Sequence, residues 1–108
     1  MTYNIPEDLM DYAKEKGLEA LATGGNIDYM VKTFSDLPHI KAIVMDAEDA
    51  GSPESLEASA IVVIVFDETW QEQRWERFTG TARECVDFIS SMTIHAKYDI
   101  RVDNKSIL

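Results

Sequence analysis

The stretch Ala58-Ser59-Ala60-Ile61-Val62-Val63-Ile64-Val65-Phe66 decides the fold class. β-Branched side chains are stiff about their first torsion and pack well on a pleated surface. From Ala60 to Phe66 no polar residue interrupts the run, the pattern of a strand covered on both faces. With seven residues the run is also far too short to span a bilayer, since a helix needs about 20 apolar residues for that.

Upstream, Ile40 to Asp46 reads as another strand, with Ile40, Ala42 and Val44 on one face and Lys41, Ile43 and Met45 on the other. Ser35-Asp36-Leu37-Pro38 before it is turn chemistry. Ile27, Tyr29 and Val31 alternate with Asp28, Met30 and Lys32 in a strand that runs to about Phe34. Ala47 to Glu57 is a loop marked by Gly51-Ser52-Pro53. Downstream, Asp67 to Gln73 is a connection, and Arg74 to Thr79 is a fourth strand with Trp75 and Arg77 opposite Glu76 and Phe78.

Helical patterns flank these strands. Asn4, Pro6 and Glu7 signal a helix start, and Leu9, Tyr12, Ala13, Ala20 and Leu21 recur at helical spacing. Gly17 falls inside that stretch, at a cost of about 1 kcal/mol against alanine, so a kink or two short helices are expected; Gly24-Gly25 ends it as a left-handed cap. The second helix opens with Thr81 and Glu84 as a capping box and carries an apolar stripe of Cys85, Phe88, Ile89 and Met92. Tyr98, Ile100 and Val102 then alternate with Asp99 and Arg101 as a short last strand. The expected fold is α+β: an antiparallel four- to five-stranded meander with helices at both ends, α-β-β-β-β-α-β, packed on one face.

A chain of 108 residues, 45% apolar, suits one domain over 1–108 with a core of its own. Cys85 is the single cysteine, so no intrachain disulfide forms. Met1 to Met10 carries Glu7 and Asp8 and lacks the apolar core of a secretory leader. These features predict a soluble cytoplasmic protein.

No residue set meets the requirements of a catalytic, cofactor or metal site. His39 and His95 have no cysteine or histidine at metal-ligand spacing. Cys85 belongs to an apolar stripe, which suits a buried thiol better than a nucleophile. Gly24-Gly25 closes a helix, whereas a phosphate-binding loop opens one. Asp46 to Glu57 has the length of a calcium loop with Gly51 at the sixth position, but Ala50 stands at the fifth, where a side-chain ligand belongs. The carboxylates of Asp67, Glu68 and Glu72 have no cleft to act in. A non-enzymatic role without cofactors is the expectation.

Charge is the informative property. The net charge is −10, from 20 acids and 10 bases. That excludes direct nucleic-acid binding and attraction to an anionic membrane, both of which need clustered lysine and arginine. Between Ala42 and Gln73 there is no lysine, arginine or histidine, while Asp46, Glu48, Asp49, Glu54, Glu57, Asp67, Glu68 and Glu72 contribute −8. The rest of the chain holds 12 acids and 10 bases, a net of −2. Trp70 lies among the second group of acids, where an aromatic can either anchor a partner or fold over the sheet edge. These nine residues are the expected partner-binding set, forming two clusters at opposite ends of the Ala58–Phe66 strand or one band where the loops fold back along the sheet, and a basic protein surface is the expected partner.

Small size, acidity and the segment Arg74-Trp75-Glu76-Arg77-Phe78-Thr79-Gly80-Thr81, a strand feeding a capped helix, resemble the small acidic accessory proteins of phages and plasmids, anti-restriction and anti-CRISPR inhibitors among them. The resemblance is one of general type and carries no functional residue with it. It implies an inhibitor that sets carboxylates where a basic, nucleic-acid-binding partner holds phosphates. The alternative is a small regulatory or ligand-binding α+β domain that forms a homodimer through its sheet, because apolar residues on both sides of Ala58–Phe66 suit a sheet covered by helices on one face and a second subunit on the other.

Overall fold

The computed structural model describes residues 5–22, 28–37, 39–48, 51–66, 74–96 and 99–107, with the backbone alone at 74–77. The first helix, α1 (Glu7–Glu15), is shorter than its apolar spacing predicts. It stops because Gly17 adopts φ +91°, the left-handed conformation that side chains oppose. The Gly17 N–H donates to Lys14 O at 3.1 Å and the Leu18 N–H to Ala13 O at 2.9 Å. Those two bonds make a Schellman motif, with Gly17 just past the helix end. Gly17 therefore terminates the helix where a kink or a second short helix was expected, and Gly24-Gly25 lies outside the described residues. At the other end Pro6 occupies the N-cap without a side-chain bond, and Asn4, read as part of the helix start, lies outside the described residues.

Ala20 and Leu21, read as helical, belong instead to the first strand, β1 (Glu19–Ala22). β2 (Asp28–Thr33), β3 (Lys41–Asp46), β4 (Ser59–Val65) and β5 (Arg74–Thr81) follow. All pair antiparallel in the order β1-β2-β3-β4-β5, a five-stranded meander. The strand alternation anticipated for Trp75 to Phe78 is interrupted. Val62 pairs with Phe78 and Val63 with Glu76, which leaves Arg77 as an extra residue at a bulge.

α2 (Ala82–Ser90) carries the expected capping box: the Glu84 N–H donates to Thr81 Oγ1 at 3.1 Å, and the Thr81 N–H to Glu84 Oε1 at 2.9 Å. The helix ends before Met92, which opens β6 (Met92–Ala96) yet stays buried. β7 (Asp99–Val102) and β8 (Lys105–Ser106) complete a second, three-stranded sheet where one short strand was expected. Its tight turn is made by Asp103 at φ 52° and Asn104 at φ 66°. Two positive φ values in a two-residue loop match the right-handed twist of the paired strands.

Both helices pack on one face of the larger sheet. Leu9, Met10 and Ala13 of α1 and Ala82, Cys85, Val86 and Ile89 of α2 share a core with Met30, Ala42, Val44, Ala60, Val62 and Ile64. Phe78 of β5 stacks on Phe88 of α2 with ring centroids 4.6 Å apart. Met92 and Ile100 bring the second sheet into that core. The opposite face of the sheet is apolar too. Tyr29, Val31, Ile43, Met45, Val63 and Val65 form a second cluster, with Leu21 and Ile61 against it. The reading of Ala58–Phe66 as a strand covered on both faces thus matches the burial of β4. No described helix is long and apolar enough to cross a membrane.

Candidate functional site

The acidic connection between β3 and β4 is held by its own backbone. The Asp46 N–H donates to Gly51 O at 2.7 Å, the Ala47 N–H to Ser59 O at 3.1 Å and the Ala58 N–H to Ser55 O at 3.2 Å. Asp46 Oδ1 accepts the Glu48 N–H at 3.0 Å, so one carboxylate shapes the turn that presents the next. Pro53 is buried and Leu56 packs against the main core.

The start of α2 fixes the far end of this loop. The Ala82 N–H donates to Ala58 O at 2.8 Å and the Arg83 N–H to Leu56 O at 2.9 Å. With the capping box, every backbone N–H from Thr81 to Glu84 has an acceptor within the protein. The N-terminus of α2 therefore has no free amide to offer an anion.

Glu48, Glu54 and Glu57 are exposed and Asp46 is half-buried. Glu57 meets a base from outside the base-free segment: Arg83 Nη2 lies 3.1 Å from Glu57 Oε1, with the arginine side chain 45% and the glutamate 70% exposed. The same guanidinium lies 5.3 Å from the centre of the Tyr12 ring. Tyr12 donates its hydroxyl proton to Asp87 Oδ1, and Lys16 Nζ sits 5.6 Å from the ring. The bond to Asp87, with burial and the charge of Asp87, raises the Tyr12 pKa above its ordinary 10.0. The bond to Glu57 likewise raises that of Arg83. Loop, α2 and α1 are thus clasped in series. The sequence pattern marks Tyr12 only as part of the apolar spacing of the first helix and does not single out Arg83 or Asp87, since the meeting of the three depends on how the two helices dock.

Four of the nine expected partner-binding residues, Asp46, Glu48, Glu54 and Glu57, fall together on this loop. Asp49, Asp67, Glu68, Trp70 and Glu72 lie outside the described residues. The segment carrying the last four joins Phe66 to Arg74, and Arg74 pairs with Val65 at the other end of β4 from Asp46 and Ala60. The seven residues of β4 separate those two ends by roughly 20 Å. The two acidic groups are therefore attached at opposite ends of the sheet.

Cys85 is fully buried, and burial, followed by the charge of Glu84, pushes its thiol pKa up to about 12. A nucleophilic cysteine needs the opposite shift. His39 is exposed, and His95, expected near the end of the second helix, is exposed on β6. Among the described residues no three histidine, cysteine or carboxylate groups come together as metal ligands, the acidic loop included. On the second face of the sheet, Val31, Ile43, Met45, Val63 and Val65 are at most 3% exposed in the single chain. No second subunit is required to keep them from water.

No protein-family model, curated protein or solved structure matches the chain.

Proposed function

We propose that the chain is a non-enzymatic interaction domain that offers its β3–β4 loop to a basic surface on another protein. In the sharpest form of this reading it blocks a groove where that partner binds nucleic acid, with carboxylates standing in for phosphates, as inhibitors carried by phages and plasmids do.

One observation carries the reading. Asp46, at the end of β3, and Glu48, Glu54 and Glu57, on the loop that follows, share one connection pinned by backbone bonds at both ends, and of these four only Glu57 has a described cationic side chain within ion-pair reach. A negative surface held in place by the main chain attracts a cationic partner without first losing much conformational freedom. The Glu57–Arg83 pair is open to water, so a partner's arginine can replace Arg83 at little cost.

The test compares the native chain with the variant Asp46→Asn, Glu48→Gln, Glu54→Gln, Glu57→Gln, each immobilised and exposed to lysate from its native host at low salt. The native chain should retain basic proteins that raised ionic strength releases and that the variant fails to hold. Equal retention by both chains would sink the reading, as would a retained set with no basic member.

A further inference from the structure

We propose that the outer edge of β6 takes up an extended, lysine- or arginine-bearing segment of a partner protein by strand addition. This surface is separate from the acidic loop: Thr33, beside it, pairs with Lys41, and Asp46 lies five residues further along β3, roughly 17 Å away.

The direction of the backbone groups carries the argument. In an antiparallel ladder, the N–H and C=O of one residue point to the same side, and successive residues alternate. The Ile107 N–H donates to Ile100 O at 3.0 Å, so the amide groups of Ile100 face β8. Ile94 pairs with Ile100 across the β6–β7 ladder. Its own N–H and C=O therefore point away from β7. Met92, two residues earlier, agrees: its carbonyl oxygen accepts the Lys32 ammonium at 3.0 Å on that outer side. β6 is the terminal strand of its sheet, and no hydrogen-bond partner for the Ile94 main chain occurs among the described residues. An unpaired amide on an edge strand is the element that strand addition uses.

An open groove of about 310 Å³ runs along this edge, between Met92–Ile94 and Lys32–Asp36. Its charge selects the occupant. The ammonium of Lys32 already donates to the carbonyls of Ile89, Ser90 and Met92 at 3.4, 3.0 and 3.0 Å, which uses its three donors. Asp36 is exposed on the groove wall, and Glu19, also exposed, lies beside Thr33 at 3.5 Å. The charge left for a ligand is negative, so the incoming strand is cationic.

The probe is the peptide acetyl-Thr-Lys-Thr-Lys-Thr-amide, titrated into the full, isotopically labelled chain while amide resonances are followed. The Ile94 amide should shift saturably. A peptide methylated on its backbone nitrogens, and one with glutamate for lysine, should leave it unmoved. Asp36→Asn should weaken binding several-fold. Ile94→Pro, which removes an outward N–H, should abolish it while the β2–β4 resonances keep their positions. An Ile94 amide that does not move, an equal response to the methylated peptide, or a folded Ile94→Pro chain that still binds would each overturn the proposal. The variant neutralised at Asp46, Glu48, Glu54 and Glu57 should bind the peptide as the native chain does. If its binding is lost, with shifts confined to the β3–β4 loop, this edge is not the site, whereas the acidic-loop reading survives.

Discussion

The ammonium nitrogen of Lys32, on β2, lies 3.0 Å from the carbonyl oxygen of Ser90, in the last turn of α2. That turn contains no basic residue of its own. A lysine from the sheet thus supplies the positive charge that a helix C-terminus favours and joins α2 to the start of β6. Burial lowers its pKa from the ordinary 10.5.

Lys32→Met keeps the length of the side chain and removes the donors. It should cost about 1.5–3 kcal/mol, the usual range for hydrogen bonds to a charged group. Urea titration measures the loss, and hydrogen exchange should show β6 amides losing protection before those of β3 and β4.

Thr81→Ala should destabilise the protein by about 1 kcal/mol through loss of the cap. Gly80→Ala attacks the same cap from behind, because a Cβ there would stand 3.0 Å from Glu84 Oε1 and 3.1 Å from Phe78. The two substitutions together should cost less than the sum of their separate effects, since each releases Glu84. A double-mutant cycle by chemical denaturation checks this, and full additivity would contradict the shared cap.

Cys85 should resist alkylation by iodoacetamide in the native protein at mildly alkaline pH and react readily in denaturant, because its thiol pKa is pushed up to about 12. Comparable native and denatured rates would mean that α2 opens far more often than its packing implies.

Tyr12 makes stability pH-dependent on the alkaline side. Its pKa is raised in the folded chain, so the unfolded chain gives up the phenolic proton first, near pH 10.0. The stabilisation is fully present below that pH and is lost as pH climbs through the folded value. Native protein should therefore lose stability relative to Tyr12→Phe above pH 10.0, while the difference between the two stays constant between neutrality and pH 9. Parallel curves throughout would show that the Asp87 bond is not kept in solution.

Period-two patterning made most of the larger sheet legible. Ile40 to Asp46 and Ala58 to Phe66 match β3 and β4 within a residue, and Thr81 with Glu84 marks the start of α2. The first helix was over-extended because Ala20 and Leu21 suit a helix as well as a strand, and only the left-handed backbone of Gly17 separates the two outcomes. Met92 misled in a similar way. It continues the apolar stripe of α2 in sequence but reaches the same core from a strand. The acidic loop was visible as a run without bases. Its anchoring was not, since the bonds from Ala82 and Arg83 to Ala58 and Leu56 join segments far apart in the chain.

Every strand of the larger sheet lies beside the one that precedes it in the chain. Such nearest-neighbour pairing closes only short loops at each step, a property that goes with rapid folding. The order in which a ribosome releases the chain is then also an order in which it can assemble. β3 and β4 precede α2 in the chain, so their hairpin, with its carbonyls at Leu56 and Ala58, can form before the first turn of that helix is there to use them.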